Sequence, residues 1–205
     1  MTEPRQCHAC RLYEGRTQVV MPDGAVGGIL VVGEAPGAKE DAAGVGFCGA
    51  AGRNLDAVMA EHAGLARDEY ARTNVVRCRP PDNRKPTAQE VSACAHWLDA
   101  TISEYRPRVI LAVGQSAADR LVDLSAEFSD MGVVRYLDYV EGLLDRGCHR
   151  QPSRLPHYGG VPVVCMPHTS PLAWNRRAVS GRAIREIGAL CVSAARTIAG
   201  HQKEA

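Results

Sequence analysis

The sequence predicts an α/β fold, a parallel β-sheet with helices on both faces. Two observations lead there. Four short apolar runs have the length and composition of buried strands. Between them lie stretches with apolar residues at helical spacing. Strands that alternate with helices in this way build a parallel sheet covered on both sides.

Each element follows in order. Residues 28–33, GILVVG, form the first strand. Residues 51–65 form a helix, with Leu55, Val58, Met59 and His62 at helical spacing and Gly64 at its end. Residues 72–76, RTNVV, are the second strand. Thr87 caps the next helix, and Glu90 three residues later completes a capping box. Val91, Ala95, Leu98 and Ile102 give that helix one apolar face. Residues 108–114, RVILAVG, are the third strand, and 115–124 a helix. Residues 161–166 are the fourth strand. The last helix covers 179–199, with Ala183, Ile184, Ile187, Leu190, Cys191, Ala194 and Ile198 inward. Residues 125–160, rich in Tyr, Arg, His and Pro, read as a long surface excursion with some helix at 136–144.

Composition narrows the function classes. The chain has 205 residues and is 45% hydrophobic, which suits one domain with a core that needs no staples. No run of about 18 apolar residues exists, so no membrane partner is expected. The N-terminus is polar and has no apolar core of a secretory signal, so a reducing, cytoplasmic setting is expected. The eight cysteines are then metal ligands, buried fillers or nucleophiles rather than disulfides. A net charge of +1 gives no global basic field, so a nucleic-acid partner would be held by local patches.

Parallel sheets bind ligands beyond the carboxyl ends of their strands. The polar tips there are GEAPG (33–37), NVVRC (74–78), Gln115–Ser116 and PHTSPLAW (167–174). Residues 44–52, GVGFCGAAG, contain the spacing G-x-G-x-x-G. A dinucleotide fingerprint needs its first glycine directly after a strand, and here ten residues separate Gly33 from Gly44. No nicotinamide or flavin is therefore expected. The glycines instead let the chain turn around Phe47 and present its ring; the alternative is Phe47 as ordinary core.

Cys7 and Cys10 form C-x-x-C, and fifteen residues separate Cys78 from Cys94. Four thiolates in two groups can close one tetrahedral metal site or hold one [4Fe–4S] cluster, with zinc the default on spacing alone. Cys48, Cys148, Cys165 and Cys191 read as fillers, although Cys48 adjoins Phe47.

Taken together, GEAPGAKEDAAGVGFCGAAGRNLD, TNVVRCRPPDNRKPT and the four spaced cysteines resemble the family 4 uracil-DNA glycosylases. These are iron–sulfur members of the uracil-DNA glycosylase superfamily. The resemblance runs from Cys7 to about Val122 and again over 161–177. It implies a [4Fe–4S] cluster on Cys7, Cys10, Cys78 and Cys94. It also implies a three-layer α/β/α sandwich with a short, mainly parallel central sheet, one such domain over 1–205, and a monomer. The implied activity is hydrolysis of the N-glycosidic bond of uracil in DNA, leaving an abasic site at the start of base excision repair.

The same resemblance assigns roles. Phe47 matches the phenylalanine that stacks on the flipped base, and Asn74 the asparagine that reads uracil. A carboxamide offers one donor and one acceptor, which fits O4 and N3–H. His168 matches the histidine that stabilises the leaving uracil anion. Glu34 matches the acidic residue that positions water or stabilises the cationic sugar. Glu40 and Asp41 read as a solvated face.

The second motif, HTSPLAWNRR, departs from the family 4 pattern. Thr169 replaces a proline, and SPLAWNR looks more like the family 1 enzymes. That likeness makes Leu172 a DNA wedge, with Trp174 an extra stacking surface or, alternatively, both packed on the last helix. Ser170, Arg176 and Arg177 then contact the DNA backbone. Gly46 also stands where proline is usual. The interval 79–93 lacks the histidine of the crosslinking relatives, so a turnover enzyme is expected. Further phosphate candidates are Arg77, Arg79, Arg84 and Lys85, and a third patch is Arg146, His149, Arg150, Arg154 and His157. Two other functions fit the same residues: a glycosylase for another modified base or a free nucleotide, and a non-catalytic, metal-clipped DNA-binding module.

Overall fold

The computed structural model describes residues 4–122, 133–147 and 151–201. Among these, five strands form one sheet: β1 (Ile29–Gly33), β2 (Ala71–Asn74), β3 (Val109–Val113), β4 (His157–Tyr158) and β5 (Val161–Met166). Their order is β2-β1-β3-β5-β4. The first three and β5 are mutually parallel, and β4 pairs antiparallel with β5. β1 and β3 are buried along their whole length. This is why they read as unbroken apolar runs rather than alternating ones. β4 has two residues and no apolar pattern, so no sequence signal marks it.

β2 is buried yet polar: Arg72, Thr73 and Asn74 are all enclosed. Its outer edge is covered by Asp23, which exchanges two backbone hydrogen bonds with Arg72 and pairs with the Arg72 guanidinium at 2.9 Å. The edge of the sheet is thereby closed at Arg72.

The helices are α1 (Leu12–Gly15), α2 (Ala38–Ala43), α3 (Ala50–Ala63), α4 (Ala88–Tyr105), α5 (Gln115–Leu121), α6 (Val133–Asp145), α7 (Pro171–Trp174) and α8 (Ile184–His201). α8 lies across β1, β3 and β5, and α3 and α6 pack against it. α5 packs on the same three strands and α4 on β2. The architecture is the α/β/α sandwich with a short, mainly parallel sheet. The capping box at α4 forms as its sequence suggests. Thr87 Oγ1 accepts the Glu90 N–H at 3.3 Å, and the Glu90 carboxylate accepts the Thr87 N–H at 2.7 Å. No described helix is long and apolar enough to cross a membrane.

Three readings change. Residues 136–144 do not lie on a surface excursion: Tyr136 and Val140 of α6 are core residues, and the Tyr136 hydroxyl donates to Met166 O at 2.8 Å. The last helix begins at Ile184, not 179. Residues 176–184 instead fold into a tight hairpin, with Ala178 N donating to Arg182 O and Ile184 N to Arg176 O, each at 2.9 Å. Gly181, at φ 86°, makes the turn. Leu190, expected inward, is 45% exposed. The end of the predicted 115–124 helix, residues 125–132, Cys148, His149 and Arg150 lie outside the described residues.

Candidate active site

The register of the sheet brings the predicted residues to one edge. Gly33 pairs with Asn74 across β1 and β2, and Val113 with Met166 across β3 and β5. The chain leaves these strands through Glu34, Val75, Gly114 and Pro167, with His168 next. A recess of ≈ 320 Å³ opens there, lined by Glu34, Phe47, Asn74, Arg84 and His168 among others. That volume is in the range of small-ligand pockets.

Asn74 and Phe47 converge at Gly33. A Cβ built on Gly33 would lie 2.5 Å from Asn74 Oδ1 and 2.7 Å from Phe47 Cζ. Any larger residue would push the amide and the ring apart. Phe47 is half-buried, with φ 55°, in the loop between α2 and α3. Glu40 fastens that loop: its carboxylate accepts the Gly49 N–H at 2.8 Å where α3 begins. Asp41, buried, accepts the Thr17 N–H at 3.0 Å. Neither acid is a mere solvated face, and each holds a backbone donor in place.

His168 is set by two neighbours. Gly114, at φ 86°, leaves room for the ring, whose Cδ2 would be 3.0 Å from a Cβ there. The Ser170 backbone N–H donates to His168 Nδ1 at 3.1 Å, so the proton of the neutral ring belongs on Nε2. The ring edge reaches solvent, but the protein packed around it lowers the His168 pKa below the usual 6.5; the Glu34 carboxylate opposes this. Thr169 is fully buried, and its carbonyl accepts from Asn54 Nδ2 of α3 at 2.8 Å.

The model of the uracil DNA glycosylase superfamily matches residues 25–187. The chain belongs to this superfamily. It is 40% identical over 136 residues to a type-4 uracil-DNA glycosylase of Sulfurisphaera tokodaii, covering 65% of this chain and 62% of that one. It is 43% identical over 120 residues to a type-4 uracil-DNA glycosylase of Thermotoga maritima, covering 58% and 62%. A third, from Archaeoglobus fulgidus, is 39% identical over 135 residues, covering 65% and 67%. The matched stretch thus spans about 62% of the length of the first two relatives.

In this superfamily member the second motif projects from the rim. Ser170 precedes α7, and Leu172 within it is 72% exposed. Trp174 does not offer a stacking face beside it. Its ring packs over Gly188 of α8, where a Cβ would come within 2.4 Å of it. Arg176 and Arg177 are exposed on the following hairpin, and one Arg177 nitrogen donates to Gly181 O at 2.7 Å.

The cationic candidates after β2 divide. Arg77 is buried, donates to Trp97 O at 2.9 Å and to the Thr101 hydroxyl, and lies over the Trp97 ring. It faces the interior and is no phosphate contact. Arg84 forms a two-pronged pair with Glu90 at 2.7 and 2.8 Å, and Arg79 donates to Asn83 at 2.8 Å. Arg146, Arg154 and His157 are exposed.

Cys7, Cys10, Cys78 and Cys94 line a single cavity walled by apolar residues. Arg16 Nη1 approaches Cys78 Sγ at 3.2 Å. Arg77 Nε and Trp97 Nε1, also of residues lining this cavity, are buried donors with no partner among the described residues. Burial raises the Cys78 pKa and pushes that of Cys94 up to about 11. Cys165 and Cys191 are buried fillers as expected, and Cys48 is a half-buried free thiol.

Sequence patterns missed Arg67, Asp56 and Asn54, which bind the site loops from behind. Their partners lie 11 to 115 residues away in the chain, and no local spacing marks such contacts.

Proposed function

We propose that this protein is a monofunctional uracil-DNA glycosylase, one domain over 1–205, that hydrolyses the N-glycosidic bond of uracil in DNA. One observation carries the reading: Glu34, Phe47, Asn74 and His168, from four separate segments, line the same recess. The type-4 names of the relatives point the same way.

The chemistry follows from the residues. Breaking the bond puts negative charge on the leaving base and positive charge on the sugar. A base buried in a duplex must first be extruded into the pocket. The Phe47 ring stacks on the flipped base. The Asn74 carboxamide accepts from N3–H and donates to O4, a pattern cytosine does not match. Nε2–H of His168 donates to O2, where the anion's charge collects, from a position fixed in advance by Ser170. Glu34 orients the attacking water and offsets the charge of the sugar. Leu172, exposed at the rim, fills the space the base leaves, and Ser170, Arg176 and Arg177 hold the phosphates beside it. No lysine nucleophile is assigned, so the product is an abasic site without strand cleavage.

Cys7, Cys10, Cys78 and Cys94 would hold a [4Fe–4S] cluster. The donor chemistry of the cavity supports it. Four thiols surround it, while Arg16, Arg77 and Trp97 bring N–H groups, two of them without an acceptor among the described residues. An anionic cluster with sulfide and thiolate acceptors suits such a lining. Among the described residues no three metal-binding side chains converge on a single ion. When bound, the cluster supplies a cross-link between the N-terminal segment, the turn after β2 and α4.

A panel of oligonucleotides carrying one uracil, hypoxanthine, xanthine or thymine, single- and double-stranded, tests the reading, with free dUMP beside it. Release of uracil from DNA above all other bases is the expected result. Release from dUMP alone, or of another base alone, would move the substrate. Binding of DNA with no base released would make this a DNA-binding module.

A further inference from the structure

The loop that presents Phe47 is held in an uncommon shape from outside the recess. Phe47 has φ 55°, a region that residues other than glycine rarely occupy. Its carbonyl is pressed against α3, where a Cβ on Gly52 would lie 1.6 Å from the oxygen. A carbonyl turned away from water in this way needs a donor. Arg67, in the turn Arg67–Glu69 after α3, supplies it. Nη1 donates to Phe47 O at 3.0 Å and Nη2 to Gly46 O at 2.6 Å.

The arginine is itself fixed. Asp56 of α3 pairs with Nη1 at 3.0 Å and also accepts from the Tyr70 hydroxyl. The backbone carbonyl of Arg67 accepts from the buried guanidinium of Arg72. The chain from β2 to the loop is therefore continuous: Arg72 holds Arg67, and Arg67 holds the two peptide groups that aim the ring.

We propose that Arg67 is a positioning residue for base recognition: its guanidinium spans the carbonyls of Gly46 and Phe47 and sets the angle of the Phe47 ring in the recess. The inference rests on the reading of Phe47 as the base-stacking ring. Arginine suits the task because its planar fork places two N–H groups at a fixed separation. A lysine ammonium is a point charge and would hold one carbonyl in its place.

Single-turnover uracil release is measured for the full chain as wild type, Arg67→Lys, Phe47→Ala and the double variant, with Tm for each. Arg67→Lys keeps the charge opposite Asp56, so Tm should change little while release slows by about tenfold. The double variant should be no slower than Phe47→Ala alone, the coupling expected of two residues that act as one unit. Release by Arg67→Lys at the wild-type rate overturns the proposal, and so do losses that multiply in the double variant. Asp56→Asn loosens the fork without removing it. It is run in parallel below the lowest Tm of the set and should show the same coupling to Phe47; independence there also overturns the proposal. Full-rate release by Phe47→Ala would instead sink the stacking role itself, and this inference with it.

Discussion

The backbone N–H of Ser170 donates to Nδ1 of His168 at 3.1 Å. That bond leaves Nε2 to carry the proton of the neutral ring, and the proposed function makes it the donor to the base. Protonation would put a hydrogen on Nδ1, against the Ser170 N–H, and break the arrangement. Burial already lowers the pKa of the ring below 6.5, against the pull of Glu34. Excision should therefore stay level as pH falls from neutral through 6.5, and decline only below it. In Glu34→Gln the opposing charge is gone, so the acid limb should move further down in the residual rate. A single-turnover pH profile of both proteins checks this; an acid limb above 6.5 would contradict it.

Leu172 is 72% exposed in the free protein, so its removal costs the fold little. As the proposed wedge it would act in the duplex, where unstacking a paired base costs a few kcal/mol. Leu172→Ala should slow release from double strands by about tenfold or more and leave single strands nearly unaffected. Release rates on the two substrates, side by side, decide it. Equal losses would make Leu172 a packing residue.

Glu90 links the start of α4 to Arg84. The Arg84 guanidinium, helped by the Thr87 N–H, holds its pKa down to about 2 against an ordinary 4.5. A carboxylate with a depressed folded-state pKa stabilises the fold above its unfolded value, and that contribution disappears as pH falls. Melting temperature should thus drop between pH 4.5 and 2 more steeply in wild type than in Glu90→Gln. At neutral pH the variant should melt earlier. Parallel acid-limb slopes for the two proteins would count against the pairing.

The cysteine cavity predicts a coloured protein. Anaerobically purified chain should be brown and carry about four irons, the content of one [4Fe–4S] centre. Cys78→Ser should lose iron and melt at lower temperature before any effect on chemistry is measurable, because the bond ties three segments together. Colourless protein with one zinc per chain would restore the simpler site.

Much of this site could be read along the chain because its residues sit at strand ends. Asn74 stands directly before an apolar pair and His168 two residues after an apolar run, and Phe47 stands out among glycines. Their supports could not be read that way. Arg67 reaches back 20 residues to Phe47, and Asn54 reaches 115 residues to Thr169. Charged and amide side chains look alike in sequence whether they face water or the interior. Arg77 reads as a phosphate contact for that reason, since its partners Trp97 and Thr101 lie 20 and 24 residues on, in α4. The helix at 136–144 is legible, but it reads as a surface piece because aromatic and charged residues mask its buried face. Its Glu141 is enclosed, accepting from Ser180 at 2.9 Å and pairing with Arg182 at 3.2 Å.

In the proposed function Asn74 reads the base that Phe47 stacks. Asn74→Asp replaces the donor to O4 by an acceptor and changes no volume, in a strand end whose backbone is paired with β1. Single-turnover release of uracil from a single-stranded oligonucleotide, with Tm alongside, tests it directly. The expected result is a loss of about a hundredfold or more, the scale of leaving a buried polar pair mismatched, with Tm close to wild type. Release at the wild-type rate by a folded Asn74→Asp protein would contradict the account.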